Sequence, residues 1–153
     1  MSGGFSIQLG HQPDFRMLDL RECEALARYS RSLELKPSQI LHDIDQPVEG
    51  FYFVLSGAIE LVTQGVEGQR IIIDTLREGA VQPCDIFDAE EIATYQLQAG
   101  TEPVLLQLLT KTDILAYFDE NPELKEKVAE GRRLRDVLDF LLQTNSLKGI
   151  PRE

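Results

Sequence analysis

Short runs in which apolar and polar residues alternate dominate the chain between Leu33 and Leu109. Residues 49–62, EGFYFVLSGAIELV, show the pattern best, because one alternating run ends at Gly57 and a second run follows directly. This pattern predicts a strand, a tight bend and a second, antiparallel strand. About seven such runs, separated by turn residues and not by helical segments, predict a sandwich, a jelly roll or a barrel.

Helical periodicity is confined to the two ends of the chain. Residues 18–31 place apolar side chains at helical spacing and predict a short amphipathic helix before the strands. After the strands, Thr112 predicts the cap of a short helix, and Asn121, directly before a proline, predicts the start of a longer one. The expected domain is mainly β with flanking helices: strands at about 33–109 and C-terminal helices at about 112–143.

The longer C-terminal helix carries an apolar or small stripe that needs a partner surface. The stripe consists of Leu124, Val128, Gly131, Leu134, Leu138, Leu141 and Leu142. Packing against the same helix of a second copy is the favoured interpretation, and it predicts a homodimer. The alternatives are docking to other domains of a longer chain and coverage of the chain's own strands.

Composition narrows the classes of partner. The 153-residue chain is 42% hydrophobic, enough for one domain with a core, and its formal net charge is -11. This charge repels polyphosphates, so neither nucleic acid nor a membrane surface is an expected partner of this chain by itself. Two distant cysteines, Cys23 and Cys84, and the lack of a leader or of an apolar run of roughly 20 residues predict a cytoplasmic protein.

The sequence contains no catalytic or metal-binding motif. His11 and His42 are the only histidines, and neither belongs to a nucleophile or zinc motif, so an enzyme is not expected. Asp43 and Asp45 follow His42, but on a strand they would point away from it, which favours a solvated strand face over a metal site. The segment 63–70, TQGVEGQR, resembles a phosphate loop only in its glycine content and predicts a hairpin turn.

A set of residues within this framework matches positions of a known family. The set is Gly50, Tyr52, Gly57, Leu76 and Gly79, followed by the segments 93–95 and 121–124. Through these residues the chain resembles the cyclic nucleotide-binding domain family. The resemblance implies a domain over residues 18–142 whose β-roll, that is, a double-stranded β-helix or jelly roll, spans about residues 33–109. Residues 1–17 would be an N-terminal lead-in, and residues 144–153 a tail similar to the lead-in of a further module.

Within this set, the glycines and the residues at strand positions have different expected roles. Gly50 and Gly57 fit turns, whereas Tyr52 and Leu76 fit inward-facing strand positions. These residues maintain the fold, and the resemblance places none of them on a nucleotide phosphate. They therefore predict the architecture and not the ligand.

The segment that binds the cyclic phosphate in the family departs here from the family pattern. Nucleotide-binding members have a loop resembling G-E-L-A, a short helix and then R-[ST]-A; loop amides and the arginine hold the phosphate, and the glutamate takes a ribose hydroxyl. In this chain the G-E pair falls on Pro83 and Cys84, and the arginine falls on Glu91. A proline has no amide hydrogen, a thiol is a poor acceptor, and a carboxylate repels a phosphate. The degenerate cassette consists of Gly79, Gln82, Pro83, Cys84, Glu91, Ala93 and Thr94.

The sequence therefore predicts a non-catalytic regulatory or interaction module that has lost cAMP and cGMP binding and needs no cofactor. The alternative is a genuine sensor domain of a larger signalling, transport or transcription protein, which binds cAMP, cGMP or another small ligand. For a cyclic nucleotide, Arg70, Arg77 or a residue of a partner subunit would supply the missing positive charge, whereas another small ligand would be neutral or cationic. The acidic residues that follow Cys84 are interpreted as a solvated loop, with a basic partner or a hard cation as alternatives.

Overall fold

Two four-stranded antiparallel sheets form the centre of the computed structural model, which describes residues 2–147. The strands are β1 (Arg31–Leu35), β2 (Ile40–His42), β3 (Gly50–Ser56), β4 (Ile59–Gln64), β5 (Arg70–Leu76), β6 (Val81–Gln82), β7 (Gln96–Ala99) and β8 (Val104–Thr110). Their order is β1-β8-β3-β6 in one sheet and β2-β7-β4-β5 in the other. This arrangement confirms the predicted mainly β fold of jelly-roll type.

Helices flank the sheets at both ends of the described chain. They are α1 (Ser2–Gly10), α2 (Leu20–Ala27), α3 (Lys111–Glu120) and α4 (Pro122–Leu147). The predicted N-terminal helix is α2, whereas the sequence pattern did not predict α1 or the 3₁₀ turn at Pro13–Phe15. These two elements bury Phe5, Leu9 and Phe15 completely. Residues 148–153, the greater part of the expected C-terminal tail, lie outside the described residues.

Strand β3 joins the two halves of the hydrophobic core. Phe51 and Phe53 belong to the cluster beneath the helices, and Tyr52 and Val54 belong to the cluster between the sheets. Successive side chains of a strand point to opposite faces, so a strand covered on both faces buries every residue. The residues Gly50–Val54 are accordingly all buried. The strand therefore contributes to the core beneath the helices and to the core between the sheets, and it pairs with β6, which leads into the cassette.

The caps of the C-terminal helices differ from the predicted ones. Thr110, and not Thr112, caps α3, because its hydroxyl accepts a hydrogen bond from the Asp113 backbone amide at 3.0 Å. α4 begins at the predicted place, but the Asn121 side chain does not cap it. That side chain donates instead to the Tyr117 carbonyl at 3.0 Å, so it completes the end of α3.

The turns correct two further local predictions. Gly57 has φ +84° between β3 and β4, and Gly68 has φ +84° in the β4–β5 hairpin, so both predicted turns are confirmed. Gly50, in contrast, lies in a strand and not in a turn. Strand β2 ends at His42, and Asp45 has φ +71°, so the carboxylates after His42 belong to a turn and not to a strand face.

Candidate functional site

The candidate cassette connects β6 to β7 and folds as a series of turns. The Asp85 carboxylate accepts a hydrogen bond from the Phe87 amide at 3.1 Å, and the Asp88 carboxylate accepts one from the Glu90 amide at 2.9 Å. Residues 83–95 contain no helix, so the short helix implied by the family resemblance does not form. Acidic side chains of the loop thus accept hydrogen bonds from backbone amides that could otherwise bind an anion.

Glu91, which stands at the arginine position, holds the loop together from within. Its Oε1 accepts a hydrogen bond from the Asp85 amide at 2.8 Å and forms an ion pair with Lys111 Nζ at 2.9 Å. The Lys111 side chain is only 12% exposed and also donates to the Asp88 carbonyl at 2.9 Å. The cation nearest to Glu91 is therefore already bound by the cassette itself.

A cavity of about 110 Å³ lies where the cassette meets the strands. The predicted site residues that line it are Gln82, Pro83, Glu91, Ala93 and Thr94. Small-molecule sites usually have about 300–1,000 Å³, so in this conformation the cavity is too small for a nucleotide. Gly79 does not line it; this glycine has φ +91° in the turn before β6.

Two titratable side chains of the strands, His42 and Tyr52, also line this cavity. Burial lowers the pKa of His42 and outweighs the opposite effect of Glu49 and Asp43. Burial and the nearby Glu49 raise the pKa of Tyr52. Both side chains are therefore neutral at pH 7, and none of the described residues that line the cavity is a lysine or an arginine. The cavity offers an anion no positive partner.

Two arginines of α4 reach the cassette region. Arg132 binds both oxygens of Asp85, at 2.7 and 3.1 Å, and Arg135 lies 3.1 Å from the buried Asp14. Cys84 lines a second cavity of about 220 Å³ together with Asp14, Asp85 and Arg135, and Pro83 and Glu91 line this cavity as well. Burial raises the pKa of the Cys84 thiol, which keeps it protonated. Pro83 and Glu91 thus border both cavities, whereas Gln82, Ala93 and Thr94 border only the first and Cys84 only the second.

The sequence pattern did not identify Asp14, Lys111, Arg132 or Arg135 as residues of the site. The spacing of the two arginines, three residues apart on a predicted helix, was a signal that they share a face. It carried no information about the loop that this face would meet. Only the packing of α4 across the N-terminal segment and the cassette brings Arg132 to Asp85 and Arg135 to Asp14.

The arginines that the sequence offered as replacements do not reach the cassette cavity. Arg70 donates to Glu60 at 2.6 Å and to Gln98 at 2.8 Å, on the sheet that contains β4 and β7. It lines a different cavity, beside Val62. Arg77 is exposed and does not line the cassette cavity either. In this conformation neither of them supplies the missing charge.

A larger, open groove of about 700 Å³ runs between the cassette and α3. Ile86, Phe87 and Leu115 give it an apolar wall, and both cations and carboxylates line the rest. Its volume is within the range of small-molecule sites. No group of His, Cys, Asp and Glu side chains in the described residues is arranged to hold a metal ion. Among the described helices, none is long and apolar enough to cross a membrane.

Comparison with protein families matches residues 32–121 to the family described as "Cyclic nucleotide-binding domain". The matched segment is more than half of the chain and contains the whole cassette. This chain belongs to the cyclic nucleotide-binding domain family. No curated protein matches this cyclic nucleotide-binding domain.

Solved structures share its fold at low sequence identity. The N-terminal domain of a transcriptional regulator from Streptomyces coelicolor A3(2) has a TM-score of 0.69 and 21% identity, over 85% of this chain and 92% of that one. The sensor domain of the transcriptional regulator DNR from Pseudomonas aeruginosa has a TM-score of 0.59 and 20% identity, over 91% and 95%. The regulatory subunit of a cAMP-independent protein kinase A from Trypanosoma cruzi, bound to guanosine, has 0.57 and 18%, over 86% of this chain and 48% of that one. At these identities the likeness shows the fold alone.

Proposed function

We propose that this cyclic nucleotide-binding domain is a regulatory or interaction module that does not bind cAMP or cGMP in the manner of its family. The observation that carries the proposal is the position of Glu91. This carboxylate stands where the family has arginine, and it binds the Asp85 amide and the Lys111 ammonium. An amide and a cation that could serve a phosphate are thus bound to the protein's own carboxylate.

An incoming phosphate would meet a negative charge at the position where relatives have a positive one. Two unit charges about 4 Å apart, at an effective dielectric constant near 20, interact by about 4 kcal/mol. Reversing the sign of one of them changes the binding free energy by several kcal/mol, which corresponds to about a thousandfold or more in affinity. Asp88 and Glu90 add further negative charge to the same loop, whereas Asp85 is paired with Arg132. Lys111 is bound to Glu91 and offsets part of its charge, so the figure is an upper limit; the change still disfavours a cyclic phosphate at this position.

Calorimetry with cAMP and cGMP, up to about 1 mM, tests this proposal directly. The expected result is no saturable heat for either nucleotide. The Glu91→Gln variant keeps the size of the side chain and removes its charge, so a gain of nucleotide binding in this variant would identify Glu91 as the excluding residue. Micromolar binding by the wild-type protein would overturn the proposal. Near-UV circular dichroism of both proteins verifies that the folds match.

We propose that the module acts through protein contacts of α4. The second half of this helix exposes Leu134, Val137, Leu138, Phe140, Leu141 and Leu142, each 41–66% accessible. A broad apolar helix face in water favours a second helix as its cover, which supports a homodimer through α4. Docking to other domains is the alternative. Two of the similar structures are parts of transcriptional regulators, so a comparable output here would come from another module.

A second candidate function is the sensing of an uncharged small molecule. The groove of about 700 Å³ beside the cassette favours it, since it has an apolar wall and room for a ligand. The Trypanosoma cruzi relative was solved with guanosine, a nucleoside without a phosphate. Titration with guanosine and adenosine separates the two candidates. Saturable binding of either nucleoside would favour a sensor over an interaction module.

A further inference from the structure

The cassette and α4 are linked directly by an ion pair. Arg132 of α4 binds the Asp85 carboxylate through two nitrogens, at 2.7 and 3.1 Å. The two side chains are 27% and 30% exposed, so this pair is partly shielded from solvent. The same guanidinium lies 5.7 Å from the centre of the Phe87 ring. A bidentate pair with an aromatic neighbour fixes the orientation of an arginine more strongly than a single surface contact.

A second contact lies one helical turn further along α4. Arg135 is 3.1 Å from Asp14, whose side chain is only 6% exposed. Gly131, directly before Arg132, packs against the N-terminal segment: a Cβ at this position would lie 3.3 Å from Met17 Cγ and 3.4 Å from the Asp14 carbonyl oxygen. Arg132 thus holds α4 against the cassette, and Arg135, one turn later, holds it against the N-terminal segment.

The electrostatics of Asp85 agree with this geometry. Burial raises the pKa of its carboxyl group, but hydrogen bonds from Arg132 and from the Phe87 amide outweigh burial and hold the pKa below its usual value. The charged form of Asp85 is therefore favoured in the folded protein. The groups that face it from packed elements are Arg132 and Arg135 of α4 and the buried Asp14. Asp136 of α4 lies beside Arg132 at 3.7 Å.

We propose that Asp85 is a built-in anion that holds α4 on the cassette through Arg132, in place of a ligand. This inference rests on the proposed function, in which the cassette takes no phosphate. In nucleotide-binding members the cassette supplies a positive charge to a negative phosphate. Here the loop supplies the negative charge, and the helix supplies the positive one. As a result, the position of α4 depends on the state of this ion pair and not on occupancy of the cavity. We name the Asp85–Arg132 pair the clasp.

Hydrogen exchange of α4 in the absence of nucleotide tests the clasp. In Asp85→Ala and in Arg132→Ala, the amides of residues 128–140 should exchange about tenfold faster than in the wild type, because α4 separates from the cassette more often. The double variant should exchange no faster than either single variant, since both remove the same interaction. Asp85→Asn, which keeps a turn-forming oxygen without the charge, should change exchange in the same direction.

Asp139→Asn is the matched control. It removes a carboxylate from an exposed position of α4, and Asp139 is not among the groups that contact Asp85 or Arg132. Exchange of α4 should stay at the wild-type rate. Unchanged exchange in Asp85→Ala, or additive effects in the double variant, would overturn the clasp. Failure of the proposed function has a different signature, namely micromolar nucleotide binding by the wild type in calorimetry.

Discussion

Gly50 shows how tightly a single residue of this fold can be constrained. It is the first residue of β3 and pairs with Thr110 of β8. A Cβ at this position would lie 2.1 Å from the Leu109 carbonyl oxygen and 2.7 Å from Thr110 Cα. Backbone atoms cannot yield as a flexible side chain can, so the two strands would have to separate. The glycine is therefore required by lack of space and not by a backbone angle. The turn predicted here from the sequence is wrong, because the glycine lies inside a strand.

We expect Gly50→Ala to lower the free energy of unfolding by about 3 kcal/mol, since the clash involves backbone on the partner strand. Gly68→Ala is the matched control. Its φ of +84° strains an alanine, but a Cβ there meets nothing within 4 Å, so about 1 kcal/mol is expected. Urea denaturation of both variants measures the difference. Equal losses would show that the β3–β8 contact is not what excludes a side chain at Gly50.

The sequence predicted some residues of the cassette but not the residues that they contact. The proline and the reversed charge at Glu91 are visible in any alignment with the family pattern, and the structure places Pro83 and Glu91 together, at both cavities of the cassette. Their partners were not readable. Lys111 and Asp85 bind Glu91 because β8, α3 and the loop converge in space, and sequence spacing carries no record of this convergence.

Among the elements, the strands and α4 could be predicted, whereas α1 could not. Strands and a long amphipathic helix have a periodicity that follows from covering one face or both. The sequence of α1, SGGFSIQLG, contains three glycines, which are poor helix formers. Its stability comes from burial of Phe5 and Leu9, both 0% exposed, and not from local propensity. A helix made stable by tertiary contacts leaves little local signal.

The two halves of α4 differ in how they are stabilised. Leu124, in the first half, is 5% exposed and belongs to the core, whereas Leu142, near the end, is 66% exposed. We expect Leu124→Ala to lower the free energy of unfolding by about 2–4 kcal/mol, because it leaves a cavity in the core. Leu142→Ala should change it by less than about 0.5 kcal/mol in dilute monomer. Thermal and urea unfolding at low protein concentration provide the comparison. A large effect of Leu142→Ala there would mean that the second half of α4 folds back on its own domain.

For the whole molecule, the net charge of -11 opposes the association that the apolar face of α4 favours. Two copies that carry like charge repel each other at long range, and salt screens this repulsion within about 10 Å at 0.1 M. Burial of apolar area does not weaken with added salt. An α4 homodimer of this protein should therefore become tighter as the salt concentration rises, in contrast to an interface held by ion pairs.

Sedimentation velocity over a range of protein concentrations, at about 0.05 M and about 0.5 M NaCl, tests this expectation. The wild type should sediment as a species with twice the mass of the chain. The protein concentration needed to form this dimer should be lower in the higher salt. Leu138→Glu places a carboxylate on the exposed apolar face, where Leu138 is 49% accessible, and should give a monomer under both conditions. Gln143→Glu adds the same charge at an exposed polar position and should keep the dimer. A wild-type protein that stays monomeric at every concentration would leave α4 to a different partner, such as another domain.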